Sequence, residues 1–355
     1  MQVTSTDTDA VSLRAIPKVL LHDHFDGGLR PATVVELARE QGYRGLPTYD
    51  PDDLATWFHR GADRRSLELY LETFVHTVAV LRTPEAIERV AAECAEDLAA
   101  DGVVYAESRL APGEIVDAGS SMTMDHVIAA MARGFAAAPA LGLEVRLIVC
   151  AMRNRPDSTS VAEAAVRGRD LGVVGFDIAG PEAGYPPSEH RDAFDIARAG
   201  HLGITIHAGE AAGVGSIREA MVECGANRLG HGVHVIDEVG VDDDGEVVLG
   251  PVATMVHETG ICLELCPTSN VHTSAAGVTS LADHPIDRLA EAGFAVTVNT
   301  DNRLMSDVSV LDEYAGLATT FGWGAAEFDA ANRTALDAAF CDEATRSRLA
   351  RVYWP

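Results

Sequence analysis

The sequence predicts an α/β fold, and within that class a (β/α)8 barrel of the TIM type with extra helices after strand 1. Three observations carry this reading. Short apolar runs rich in β-branched residues alternate with longer Ala-, Glu- and Arg-rich segments of helical spacing. The apolar runs number eight. No G-x-G-x-x-G follows the first of them, which argues against an open dinucleotide-binding sheet.

In order, the expected strands cover 18–24 (KVLLHDH), 102–110 (GVVYAESRL), 144–152 (EVRLIVCAM) and 173–180 (VVGFDIAG). They continue through 203–210 (GITIHAGE), 228–232 (RLGHG), 261–267 (ICLELCP) and 294–301 (FAVTVNTD). Between them lie helices such as 83–101. There Thr83 can cap, Pro84 fits the first helical position, and Ile87, Val90, Ala91, Cys94 and Leu98 share a face. Strands that alternate with helices pair in parallel through right-handed crossovers, and eight such units can close. The 355 residues are therefore read as one barrel domain, with residues 1–14 as a flexible N-terminus. The segment 31–82 is long for one crossover. It reads as two amphipathic helices, RPATVVELARE and RRSLELYLETFVHTVAVL, flanking a mixed stretch, and would form a lid over the barrel mouth. The stretch 241–251 carries a D-G turn and reads as a small hairpin or surface loop; its aspartates do not match an EF-hand loop. The last segment, DEATRSRLARVYWP, reads as a closing helix.

Composition excludes several function classes. A net charge of −27 repels phosphate backbones, so nucleic acid is not an expected partner. The N-terminus lacks a basic start and an apolar core, and no apolar run is long enough for a membrane helix, so neither export nor membrane insertion is expected and the cytoplasm is the expected location. The six cysteines form no C-x-x-C pair and read as reduced, buried small hydrophobes. Lys18 is the sole lysine, which rules out a P-loop.

The chemistry gathers at strand ends. Side chains alternate along a strand, so His22 and His24 face one side and Asp23 the other. Strand five ends in His207 with Glu210 in the turn beyond. Strand six ends in His231 between glycines, and strand eight in Asp301 and Asn302. In a parallel barrel these ends meet on one face, where barrel active sites are built. Histidines with an aspartate there suit zinc or a similar divalent ion. Eight other histidines (His59, His76, His126, His190, His201, His257, His272, His284) read as ordinary surface or helix residues, and His234 as a structural or supporting residue.

The segments PKVLLHDHFDGG, HAGE, RLGHG and NTDN, with VVYAESRLAP and GFDIAGPE, resemble the metal-dependent adenosine deaminases of the amidohydrolase superfamily, in order and over nearly the whole chain. Many amidohydrolases bridge two metals with a carbamylated lysine on strand four. Here that strand ends FDIAG, so the resemblance implies a mononuclear site with one Zn2+ or similar ion per chain. It implies His22, His24, His207 and Asp301 as metal ligands, Glu210 as proton shuttle, His231 as base or electrostatic stabiliser, and Asp301 as the group orienting the nucleophile. It further implies Asp26 at the ribose hydroxyls, with His24 beside the substrate too, the Gly180 backbone at purine N3, and residues 67–74 as an apolar wall. Asn302 stands where the best-known members carry aspartate. That position faces purine N7, an acceptor, to which an amide donates in its resting state. The implied activity is hydrolytic deamination of adenosine and 2′-deoxyadenosine. The alternatives are a modified adenine nucleoside such as 6-aminodeoxyfutalosine, free adenine, or a catalytically silent metal-binding barrel. The zinc deaminase fold with P-C-x-x-C is excluded, since three residues separate Cys262 from Cys266. The sequence assigns no oligomeric state.

Overall fold

The structure, a computed structural model, describes residues 13–116 and 121–355. Residues 1–12, most of the expected N-terminal segment, lie outside the described residues. Of the other two positions, Leu13 packs on the core and Arg14 Nη1 donates to Ala100 O at 3.0 Å.

Eight parallel strands form one sheet: β1 (Lys18–His24), β2 (Val103–Leu110), β3 (Glu144–Met152), β4 (Val173–Ala179), β5 (Gly203–Ala208), β6 (Arg228–His231), β9 (Cys262–Leu265) and β10 (Val296–Val298). The expected hairpin is present as antiparallel β7 (Val239–Val241) and β8 (Val247–Leu249), an excursion between β6 and β9. All eight expected strands occur. Several end earlier than expected, because residues such as Glu210 and Asp301 lie beyond the ladder and carry side chains into the mouth.

The seam between β10 and β1 is where closure is hardest, since β10 has only three residues. Side chains replace the missing ladder there. Asn299 Oδ1 accepts from Leu21 N (3.0 Å) and His22 N (3.1 Å), and Asn332 Oδ1 accepts from Val19 N (2.8 Å). At the C-terminal rim the backbone takes over: His24 N donates to Asp301 O (2.8 Å) and Asp301 N to His22 O (3.0 Å). The sheet thus closes nearly into a (β/α)8 barrel. Its apolar core lies between strands and helices, where Leu20, Ala106, Phe176 and Ile206 meet residues such as Ile87, Val90, Val161 and Phe194. Each such large side chain contributes about 1.5–3 kcal/mol on burial.

The insertion holds four helices before the first regular crossover helix. These are α1 (Pro31–Glu40), α2 (Pro51–Ala62), α3 (Leu67–Leu71) and α4 (Phe74–Val80), followed by α5 (Pro84–Ala100). The cap expected for α5 is present: Thr83 Oγ1 accepts from Ala86 N. Two expectations for the insertion fail. The mixed stretch contains α2, started by Asp50, whose carboxylate accepts from Asp52 N and Asp53 N, with Pro51 at the first helical position. The second expected helix is broken at Glu72–Thr73, where Thr73 Oγ1 donates back to Tyr70 O at 2.7 Å.

Lys18 seals the opposite end of the barrel, its ammonium donating to the carbonyls of Leu13, Arg14 and Ile16. All six cysteines are free and buried. Among the described residues, no helix is long and apolar enough to cross a membrane.

Candidate metal centre and active site

The structure brings His22, His24, His207, His231, Glu210 and Asp301 together at the C-terminal mouth. One ligand atom each of His22, His207, His231 and Asp301 lies within 4.8 Å of the others. His24 joins them, with Nε2 3.1 Å from His207 Nε2 and 3.3 Å from Asp301 Oδ1. Five candidate donors therefore crowd one buried point.

Several features fit a divalent cation there. His22 Nε2 is buried without a hydrogen-bond partner and faces Asp301 Oδ1 at 3.3 Å. Two imidazole nitrogens, on His24 and His207, point at each other. The far nitrogens are held by carboxylates, His22 Nδ1 by Glu264 (2.9 Å) and His207 Nδ1 by Asp177 (3.1 Å), the arrangement that turns the near lone pairs toward a metal. Burial alone would raise Asp301, but the His22 ring facing it and the other surrounding imidazoles hold it well below the usual carboxylate range. Its Oδ2 accepts from Ser269 Oγ at 2.6 Å. Both His231 (φ 60°) and Asp301 (φ 58°) adopt left-handed backbone conformations, a cost that local contacts must offset.

Glu210 sits at the same mouth, its Oε2 3.6 Å from His231 Nε2. Burial, then the charges of Asp301 and Glu182, push its carboxyl well above the ordinary value. Glu182 also builds the turn, because its carboxylate accepts from the N–H groups of Gly209, Glu210, Ala211 and Ala212 and from Ser216 Oγ.

Beside the cluster lies a cavity of about 100 Å³ lined by His24, Asp26, Leu71, Phe74, Val78, Ala111, Glu114, Cys150, Met152, Ala179 and Gly180. A larger groove of about 640 Å³ on the outer face of the insertion, by Trp57, Arg60 and His76, holds none of the candidate residues. We place the site at the smaller one, where the chemistry is. Asp26 lies in its wall with Oδ1 unpartnered, and burial pushes its carboxyl up to about 7. Gly180 turns at φ 98°. Asn302 is buried against Gly27, with Oδ1 unpartnered.

Gly27 and Gly28 are tightly packed: a Cβ would overlap the Asn302 side chain at the first and the Arg303 side chain at the second. One expectation needs correction. His76, His190, His272 and His284 are buried rather than ordinary surface residues, because the barrel packs the segments that carry them. His234 bonds Asp237 at 2.7 Å, outside the cluster. Asp23 does turn away, pairing with Arg303 (2.7 Å) and Ser108 (3.2 Å).

Sequence reasoning missed the supporting residues Asp177, Glu182, Glu264, Ser269 and Asn270, as well as Glu114. The signal for two of them was visible: Asp177 and Glu264 are lone charges inside apolar strands (FDIA, CLEL), where burial demands a partner.

The adenosine deaminase family profile matches residues 17–353. A curated adenosine deaminase of Mycobacteroides abscessus is 53% identical over 340 residues, 95% of this chain and 93% of that protein. Among solved structures, an Arabidopsis N6-mAMP deaminase shares 25% identity and a TM-score of 0.80, over 96% of this chain and 98% of that one. A B. ambifaria amidohydrolase with bound zinc shares the fold at 24% identity and a TM-score of 0.83, over 99% and 93% of the two chains. The chain is a metal-dependent hydrolase and belongs to the adenosine deaminase family.

Proposed function

We propose that this protein hydrolyses adenosine, and 2′-deoxyadenosine, to the inosine product and ammonia, with one zinc ion per chain held by His22, His24, His207 and Asp301. The observation that carries the reading is a buried carboxyl, Glu210, beside a buried group of histidines and an aspartate. Imidazole and carboxylate donors in a compact group suit zinc. Bound there, the ion would lower the pKa of a water to about 7 and so supply a nucleophile at neutral pH.

The chain's own residues do the rest. Glu210, held neutral by burial, can donate its proton to purine N1 and make C6 electrophilic. Water oxygen then bonds to C6, one of its protons passes to the amino nitrogen and the other restores Glu210, the C6–N bond breaks, and ammonia leaves while the proton given to N1 stays in the inosine product. Asp301 orients the attacking group, and His231 supports it from beside Glu210. In the cavity, Asp26 takes the ribose hydroxyls, the Gly180 backbone faces N3, and the Asn302 amide donates to N7. Leu71, Phe74 and Val78 supply an apolar wall. The ionisable groups beside His24 in the cavity lining are Asp26 and Glu114, both acidic. A 5′-phosphate would meet carboxyls and no lysine or arginine in that lining, which favours a nucleoside over a nucleotide. The free, buried cysteines fit a reducing compartment such as the cytoplasm.

Zinc-loaded protein given adenosine should show the ultraviolet change of deamination with one ammonia per nucleoside. No turnover of any adenine nucleoside at one zinc per chain would overturn the reading. Glu210→Gln should keep the metal and lose about 10³-fold in kcat.

A further inference from the structure

The proposed chemistry leaves His231 with two open roles, base or stabiliser, and geometry makes it a possible metal ligand as well. Which role it can take depends on which ring nitrogen carries the proton. Ring protons are normally assigned rather than seen. Here a chain of hydrogen bonds rooted in backbone N–H groups, whose direction is fixed, decides the matter.

The chain starts at Ile286. Its backbone N–H donates to His284 Nδ1 at 3.1 Å, so that nitrogen must present its lone pair. His284 is fully enclosed, and burial depresses its pKa to about 3, so the ring is neutral and its one proton sits on Nε2. That Nε2 lies 3.1 Å from Asn270 Oδ1 and donates to it. A second backbone group agrees: Cys266 N donates to the same Oδ1 at 3.4 Å. The Asn270 amide is therefore oriented, with its NH2 toward His231 Nδ1 at 3.0 Å. Nδ1 of His231 accepts, and a neutral His231 must carry its proton on Nε2, the atom facing Glu210 Oε2 at 3.6 Å.

We infer that Asn270 and His284 are positioning residues that lock His231 into the Nε2–H tautomer, so that it enters the site as a hydrogen-bond donor. Two consequences follow from the tautomer. With no Nε2 lone pair, His231 is neither a resting-state base nor a metal ligand through that atom. The place among the ligands then falls to His24, whose Nε2 lies 3.1 Å from His207 Nε2 and 3.3 Å from Asp301 Oδ1. The chain also gives buried His284 a purpose, since it touches neither substrate nor cluster.

The tautomer can be read directly. Full-length protein with 15N-labelled histidine rings, free of metal, is examined by long-range 1H–15N correlation, and His231 is assigned by the signal lost in His231→Gln. The expected result is an unprotonated Nδ1 and a protonated Nε2. Asn270→Asp, nearly isosteric, still accepts from His284 but offers His231 an acceptor. It should move the proton to Nδ1, lower kcat by about 10²-fold or more, leave KM within about threefold, and keep one zinc per chain. A protonated Nδ1 in the wild-type protein, or an Asn270→Asp variant with wild-type kcat, would overturn the inference. The kinetic arm rests on the activity proposed above, whereas the spectrum does not. An inactive wild-type protein would count against that activity, and the ring shifts would still decide the tautomer.

Discussion

In the barrel interior each charge has a partner. Arg109 donates to Asp177 (2.7 Å) and Glu264 (2.8 Å), and Arg228 donates to Glu264 and Glu107 (2.6 Å each). Thr205 and Tyr105 add hydroxyl donors to the same carboxylates. One layer higher, at the mouth, the plan is reversed. Ring nitrogens of His24 and His207 face each other, His22 Nε2 has no hydrogen-bond partner, and the acidic Asp301 sits among them. The two layers share Glu264 and Asp177, which bind arginine below and histidine above. Among the described residues Asp301 pairs with imidazoles rather than with a guanidinium, and a carboxylate buried in that setting suits a bound cation, because unbalanced buried charge is costly. The interior is finished by the chain itself, whereas the mouth is finished by what it binds.

This difference can be broken most severely from below. Arg109→Met leaves Asp177 without its guanidinium and Glu264 with Arg228 alone, and loss of one partner from a buried network costs about 3–5 kcal/mol. Urea unfolding should show that loss in both metal-free and zinc-loaded protein. Equal stability of variant and wild type without metal would mean that the interior depends on the mouth after all.

A smaller effect is expected from above. Chelation should leave the wild-type protein folded and lower its stability by only the binding term, about 2.7 kcal/mol at a metal concentration of 100 Kd. Asp301→Asn should abolish that increment while leaving the metal-free protein near wild type. A chelated protein that unfolds would erase the distinction between the layers.

The same division governs what the sequence made legible. His22, His24, His207, His231 and Asp301 could be found because each ends an apolar run, and the C-terminal ends of parallel strands converge whatever the loops do. Strand bounds were read within a few residues for the same reason. The partners were not legible. Glu264 meets His22 across 242 positions, and Arg109 meets Glu264 across 155, so no local spacing could pair them. Asn270 and His284 lie among helix and loop residues with no periodic signal, and their role exists only through hydrogen-bond direction. In the insertion, the Asp50–Pro51 start of α2 was written plainly but was masked by Gly42, Gly45 and Pro47 upstream. Its neighbour looked like one helix because the break at Thr73 comes from a side-chain bond rather than from glycine or proline.

Asp26 gives the subtlest test, because it belongs to the mouth yet lies outside the cluster. Its carboxyl is raised from 3.8 to about 7, chiefly by burial, and its Oδ1 has no partner. Between these values the unfolded chain has released the proton while the folded chain still holds it. The folded state therefore binds more protons, and stability falls as pH rises from about 4 to about 7, then levels off. Asp26→Asn removes this titration. Its stability relative to wild type should climb across that window and plateau above it, by of order 4 kcal/mol at most if the carboxylate stays buried. Activity should move the other way, with KM for adenosine rising if Asp26 accepts from the ribose hydroxyls. Thermal melts at pH 5 and pH 8, paired with KM at pH 8, separate the two effects. A variant more stable at pH 8 and weaker for adenosine would place Asp26 with the mouth, held at a cost to stability for what it binds. A variant with unchanged melts at both pH values would mean that water reaches Asp26 and solvates its charge.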